Sequence, residues 1–115
     1  MNKQPTLSEI ISLAMQAGEI LREGYGKQHN IEYKGIINLV TEIDKNAEEF
    51  LLKKIISKYP DHRIVAEENG EVTGLHDHCW YIDPLDGTVN FAHNIPIFSL
   101  SIAYELNGEI ILGVV

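Results

Sequence analysis

From Phe98 to Leu106 the chain alternates without a break. Phe98, Leu100, Ile102, Tyr104 and Leu106 fall on one side, and Ser99, Ser101, Ala103 and Glu105 on the other. A period of two marks a strand with one buried face. Asn107-Gly108 follows at once. That pair favours a two-residue type I′ turn, because both central residues must take positive φ. Glu109 to Val115 is expected to return as the partner strand. The hairpin commits this part of the chain to an antiparallel sheet, and any helices must bury their apolar faces against it.

Upstream the period changes to that of helices. Thr6-Leu7-Ser8-Glu9 has capping-box spacing, with Thr6 as N-cap and Glu9 reaching back. Leu7, Ile10, Ile11, Ala14, Ala17, Gly18 and Leu21 recur at helical spacing, and Gly24-Tyr25-Gly26 marks a stop. Gly18, among the apolar positions, is expected to permit close packing. Ile31 to Lys34 reads as a short strand and Gly35 as a loop. A second helix, capped by Thr41, presents Ala47, Phe50, Leu51, Ile55 and Tyr59 on one face. Tyr59-Pro60-Asp61 ends it, since proline disfavours helix at the residue before it. Arg63 to Ala66 reads as a β-branched strand, residues 69 to 78 as a polar surface loop, and Trp80-Tyr81-Ile82 as a buried strand. The fold class is therefore α+β, with two long helices packed on an antiparallel sheet.

Composition narrows the function. The chain has 115 residues, enough for one domain or part of one, and a net charge of −8. No basic surface is available to neutralise nucleic-acid phosphates, so no nucleic-acid partner is expected. A bound anion would need cations or backbone amides to offset repulsion. The single cysteine, Cys79, excludes an internal disulfide and fits a reducing compartment. No apolar run reaches membrane-spanning length and Met1 to Pro5 lacks a signal-peptide core, so a cytoplasmic location without a membrane partner is expected. Ile111-Leu112-Gly113-Val114-Val115 is an unusually apolar ending, and the complete protein is expected to continue beyond it.

The chemistry is concentrated in Trp80 to His93, WYIDPLDGTVNFAH. An apolar strand delivers Asp83 and Asp86, separated by Pro84-Leu85 and followed by Gly87 and Thr88. Mg²⁺ commonly takes one or two carboxylates together with waters and substrate phosphate. Pro84 fixes one backbone angle between the acids, and Gly87 leaves room for an oxyanion near the backbone. A helix starting at Thr88 would aim free amides at that anion, and the Thr88 hydroxyl suits a nucleophilic water. Asp-Pro and Asp-Gly are also ordinary turn dipeptides. The paired acids, the buried approach, Gly-Thr and the following aromatic together favour a metal or phosphate site over a plain turn.

This stretch resembles the first signature of the inositol monophosphatase family: an apolar approach, Asp-Pro-apolar-Asp-Gly-Thr, two residues, then an aromatic. Asn38-Leu39-Val40-Thr41-Glu42-Ile43-Asp44 is similar to that family's apolar-Val-Thr-x-x-Asp segment, and Ala66-Glu67-Glu68 to its Gly-Glu-Glu. The resemblance covers essentially the whole chain. It implies the N-terminal part of a layered α/β/α/β/α sugar-phosphatase fold and a Mg²⁺-dependent phosphomonoesterase acting on inositol monophosphate or a related sugar or polyol phosphate. The complete protein is implied to be a homodimer. Residue by residue, it implies metal ligation by Glu67, Asp83, the Leu85 carbonyl and Asp86. It further implies substrate contact at Asp86, Gly87 and Thr88, and catalytic roles for Glu67, Thr88 and Asp44, the first two activating water and Asp44 acting from near the metals. Lys34 matches a loop lysine of the family, with different spacing. Asn38 and Ala66 depart from the family's pattern, and its later Trp-Asp-x-x-x-Gly motif is absent from the sequence.

Two other readings stand beside this one. In an aspartyl-phosphate phosphatase of the haloacid dehalogenase type an Asp is the nucleophile, but its Asp-x-Asp-x-Thr motif is one residue shorter than Asp83 to Asp86, and the hairpin at Asn107-Gly108 does not fit parallel α/β alternation. The chain is otherwise an inactive or metal-binding fragment that pairs its final strand with a partner edge. His76-Asp77-His78-Cys79 lacks the second ligand pair of a zinc site and is expected in a surface loop. His62 and His93 read as surface or hydrogen-bonded groups, Lys53-Lys54 as a solvated helix face, and Trp80 as core.

Overall fold

The computed structural model describes residues 4–27, 33–67, 70–72 and 74–115, with the backbone alone described at 33, 34, 36, 75 and 76. In chain order the elements are α1 (Leu7–Gly24), α2 (Tyr33–Lys58), β1 (His62–Ala66), β2 (Gly70–Val72), β3 (Leu75–Asp86), α3 (Thr88–Ala92), β4 (Ser99–Leu106) and β5 (Glu109–Val114). The strands form one five-stranded sheet in the order β2-β1-β3-β4-β5. The expected antiparallel sheet is mixed: β1 and β3 pair in parallel, and every other pairing is antiparallel. The parallel pair arises because β2 folds back on the outer edge of β1 and leaves its inner edge for β3.

The hairpin forms as its sequence predicts. Asn107 and Gly108 take φ of 51° and 84°, as a type I′ turn requires. Leu100, Ile102 and Tyr104 are buried on the alternating face of β4. Together with Ile64, Ala66, Trp80 and Ile82 they meet the helices in a single core. Trp80, Tyr104 and Phe91 are its largest fully buried side chains. Each stabilises the fold by about 1.5–3 kcal/mol relative to an exposed side chain. Val65, Tyr81, Asp83, Ser101 and Ala103 alternate onto the opposite face, which the long helices leave only half-buried.

α1 starts as expected. The Glu9 amide donates to Thr6 Oγ1 at 3.1 Å, and the Glu9 carboxylate accepts in return from the Thr6 backbone. The buried stripe is rotated from the expected one: Ile10, Ala17, Leu21 and Gly24 face inward, while Leu7 and Ile11 are exposed. The close approach also falls elsewhere. A Cβ on Gly18 would sit 3.8 Å from Leu100 Cδ2, an ordinary contact, whereas one on Gly24 would lie 2.3 Å from Ile43 Cδ1. Gly24→Ala is therefore expected to lower stability by about 1–3 kcal/mol through overpacking. Gly18→Ala is expected to raise it by about 0.5–1 kcal/mol through helix propensity. Urea midpoints of the two variants should move in opposite directions.

α2 begins earlier than expected. Tyr33 and Lys34 form its first turn instead of a strand, while Ile31 lies outside the described residues. Thr41 is inside the helix, not its cap, and donates its hydroxyl to the Ile37 carbonyl at 3.0 Å. The reason is that Val40 and Ile43 extend the buried stripe of Ala47, Leu51 and Ile55 upstream. Of the loop expected over 69 to 78, residues 70–72 and 75–78 are strand instead, Gly74 lies between the strands, and Asn69 and Thr73 lie outside the described residues. Gly70, at φ 70°, begins β2 opposite Ala66, the last residue of β1, and Arg63 Nε bonds Glu71 Oε1 at 2.6 Å across that pairing. Asp77 faces solvent, but His78 and Cys79 are buried in β3, so His76 to Cys79 lies in a strand and not in a surface loop. Polar residues misled here because β2 is an edge strand with its side chains largely exposed, and the start of β3 buries a histidine whose ring is stacked and hydrogen-bonded.

Among the described residues no helix is long and apolar enough to cross a membrane.

Candidate active site

An irregularity in β3 decides where the acids point. Asp83 pairs with Ser101 and Asp86 with Ser99. Three steps along β3 thus match two along β4, which makes a β-bulge of one extra residue. In a regular strand Asp83 and Asp86 would point to opposite faces, because their spacing is odd. The bulge restores them to the same face, the one away from α1 and α2. Pro84 occupies the bulge, where its missing N–H breaks no ladder bond, and it is fully buried. Leu85 is buried with its side chain in the core, so its backbone carbonyl is the group it can offer to a ligand.

β1 delivers Glu67 to the same place. Ala66 and Ile82 are the last register partners of the parallel pair, and Glu67 and Asp83 each follow directly after them in the chain. Both line one open groove of about 300 Å³ with Val65, Tyr81, Ser101 and Ala103. In that groove Tyr81 donates to Glu105 Oε2 at 3.3 Å. Its phenol, hydrogen-bonded to the Cys79 thiol and close to Glu105, is pushed up to about 12 and stays neutral.

Asp83 Oδ1 is buried and has no hydrogen-bond partner. A buried carboxylate oxygen normally has one, and an unsatisfied oxygen beside a second carboxylate suits a cation. The fit is that of one arm of a site: among the described residues no three His, Cys, Asp or Glu side chains converge as a metal-binding group. Asp83→Ala is expected to stabilise the chain in chelator by about 1–2 kcal/mol, by removing an unsatisfied buried acceptor. An unchanged or lower urea midpoint in EDTA would count against this account.

Gly87 forms the turn after the strand. It takes φ 89° and ψ 38°, the left-handed conformation, and caps α3. A Cβ there would lie 2.9 Å from the Ile97 carbonyl oxygen and 3.2 Å from Phe98 Cα. The room left on that side of Gly87 thus holds the chain's own backbone. The expected helix does begin at Thr88. The Phe91 amide bonds the Gly87 carbonyl at 3.0 Å, and the earlier amides of α3 lack intrahelical partners, as at any helix start. Thr88 is exposed beside them. Phe91 anchors α3, meeting Phe98 edge-on at 4.8 Å and Tyr25 at 5.6 Å between ring centroids. Asn90 Nδ2 donates to the Ile97 carbonyl at 2.8 Å and ties the returning chain over Gly87.

Asp44 reaches the same end of the molecule from α2. Tyr59, just past the C-terminal end of α2, packs on Trp80. Asp44 lies about 22 Å back along the helix at 1.5 Å per residue. Asp86 lies about 20 Å along β3 from Trp80 at 3.3 Å per residue. α2 packs against both β3 and α3, which sets Asp44 level with the Gly87 turn. Asp44 is 6% exposed, and Glu48, one helical turn on, is 0% exposed. Sequence reading missed Glu48. Its signal was a carboxylate four residues after Asp44, inside the Val40-Ile43-Ala47-Leu51 stripe. Lys34 is in the first turn of α2 and not in a loop.

Comparison with known proteins bears on the family and the fold. The model of the inositol monophosphatase family matches residues 2–115. A fructose-1,6-bisphosphatase/inositol-1-monophosphatase of Thermotoga maritima is 44% identical over 106 residues, covering 91% of this chain and 41% of its own length. Inositol monophosphatase 3 of Solanum lycopersicum is 37% identical over 113 residues, covering 95% of this chain and 42% of its own length. Among solved structures, the extragenic suppressor protein suhB of Bartonella henselae superposes with a TM-score of 0.77 at 35% identity, covering 90% of this chain and 40% of that one. The chain thus spans about two fifths of the length of the relatives it matches.

Proposed function

The chain belongs to the inositol monophosphatase family, and from that premise we propose that it carries the metal- and phosphate-binding part of a Mg²⁺-dependent phosphomonoesterase. The substrate class is inositol monophosphate or a related sugar or polyol phosphate. The observation that carries this reading is the β3 bulge, which turns Asp83 and Asp86 onto one face, with Glu67 lining the same groove as Asp83 and one Asp83 oxygen without a partner. Asp83, Asp86, Glu67 and the Leu85 carbonyl would hold Mg²⁺. Bound there, Mg²⁺ would supply Lewis-acid neutralisation of the phosphoryl oxygens.

The chain's own groups have distinct tasks in this reading. The amides that follow Gly87 and the Thr88 hydroxyl face the phosphate as neutral donors, which a protein of net charge −8 needs for an anion. Glu67 and Thr88 orient the attacking water, with Glu67 accepting its proton. Asp44 supports the turn from the helix side. Glu67 and Asp83 repel each other without a cation, so the groove is looser then. The buried lone thiol of Cys79 fits the cytoplasm as the working compartment. The family-length protein would be a homodimer.

A second reading has its own support. No three metal-capable side chains converge among the described residues, which favours a chain that binds metal but needs further residues for turnover. Isothermal titration with Mg²⁺ and a phosphate-release assay on inositol monophosphate separate the two. Binding with turnover supports the enzyme, binding alone supports the metal-binding part, and no binding contradicts both.

A further inference from the structure

One buried cluster is not used by the proposed chemistry. The rings of His62 on β1 and His78 on β3 stack at 4.2 Å with 3° between their planes, and each residue is 4% exposed. Trp80 Nε1 donates to His62 Nδ1 at 3.0 Å. Tyr59 stacks on the other side of His62 at 4.7 Å, and the Tyr104 hydroxyl of β4 hydrogen-bonds His78 Nδ1. The Tyr59 hydroxyl in turn donates to Glu9 of α1 at 2.6 Å. α1, the end of α2, β1, β3 and β4 therefore meet at this stack.

The tautomer follows from chemistry. An indole N–H is a donor only, so His62 Nδ1 must present its lone pair. His62 is then neutral in the folded chain, with its proton on Nε2. A proton on Nδ1 would face the indole N–H donor to donor, and the added charge would lie against a second stacked imidazole in a site with little water. The described titratable and charged groups facing His62 are Tyr59 from α2, His78 from β3 and Tyr104 from β4. Glu9 and Lys58 bind each other at the far end of Tyr59. Asp61 and Arg63 flank His62 along the chain, and Arg63 is turned to Glu71.

We propose that the His62–His78 stack is an acid-sensitive joint: a proton taken from solvent by His62 Nδ1 breaks the bond to Trp80 and loosens the junction of helices and sheet. The native joint excludes the proton, whereas an imidazole in the unfolded chain accepts it near pH 6.5. The unfolded state then binds more protons below that pH, so stability falls with falling pH. The window lies above that of Glu9. Burial alone would raise the Glu9 carboxyl, but the Tyr59 hydroxyl and Lys58 outweigh it and hold Glu9 below the ordinary value of 4.5. Its stabilising contribution is therefore kept until the pH falls beneath the range tested.

The chain has one tryptophan, Trp80, so its fluorescence reports on the joint itself. Urea unfolding followed by this signal at pH 7.5, 6.5 and 5.5 is compared between the native chain and His62→Gln, whose amide oxygen accepts the indole bond but does not titrate. The native unfolding constant should rise by about fivefold between pH 6.5 and 5.5, and the variant's by much less. Equal slopes would overturn the proposal. Long-range ¹⁵N–¹H spectra of the native chain give a test that needs no variant. The expected result is a neutral His62 with unprotonated Nδ1 for as long as the fold persists. A folded chain with His62 as imidazolium and an unmoved indole resonance would overturn it.

Discussion

Asp86→Asn, introduced into a protein of family length, is expected to cut phosphate release by at least about a hundredfold. Asparagine keeps the volume and one carbonyl oxygen but removes the charge that a hard cation selects. Loss of even a few kcal/mol of Lewis-acid stabilisation corresponds to that factor, at 1.36 kcal/mol per tenfold. The strand geometry predicts that the fold survives. Asp86 is the exposed last residue of β3, and its pairing with Ser99 uses backbone groups. Turnover and Mg²⁺ affinity should therefore fall together while the urea midpoint stays within about 0.5 kcal/mol of the parent, as for an ordinary surface change. Near-normal turnover in this variant would remove Asp86 from the site.

Gly87→Ala should have the opposite profile, with a large loss of stability. Two costs add at this residue. Its φ of 89° is in the left-handed region, which costs an L-residue about 1–2 kcal/mol. A methyl would also lie 2.9 Å from the Ile97 oxygen and 3.2 Å from Phe98 Cα, both backbone atoms. Backbone shifts of that kind cost about 1–3 kcal/mol. The expected total is about 2–5 kcal/mol, a large part of the 5–15 kcal/mol typical of a folded domain. Relief would mean displacing the segment that Asn90 ties down through Ile97, so Phe98 would also pull away from Phe91 and Tyr25. Chemical denaturation measures the loss. A midpoint unchanged from the parent would mean that residues 97 and 98 do not approach Gly87 as described.

These two residues, side by side in sequence, differ in how legible they were. Asp86 could be picked out from its neighbours in the chain, because paired acids before Gly-Thr are a local pattern. The reason for glycine at 87 could be only partly inferred. A turn was visible, but its crowding by residues ten positions later depends on how the chain returns from α3. The same limit explains the misplaced start of α2. Thr41 has the chemistry of a cap, and only packing of Val40 and Ile43 into the core shows the helix continuing past it. His62 and His78 read as unremarkable polar residues for a like reason, since their stacking joins β1 to β3, two strands separated in the chain by β2.

The sequence by itself determined what repeats locally or is held by adjacent residues. It specified the hairpin at Asn107-Gly108, the cap at Thr6, the stop at Gly24, the buried face of β4 and the identity of the candidate ligands. Each rests on backbone preference or periodicity over a few residues. Tertiary structure decided how the two candidate aspartates are faced. Asp83 and Asp86 are three apart and would oppose each other in a regular strand. Pairing with Ser101 and Ser99 forces the bulge that aligns them, and the parallel register of Ala66 with Ile82 ends just before Glu67 and Asp83, which line one groove. Register is a property of two strands at once, set by the hydrogen bonds and buried side chains that both must satisfy.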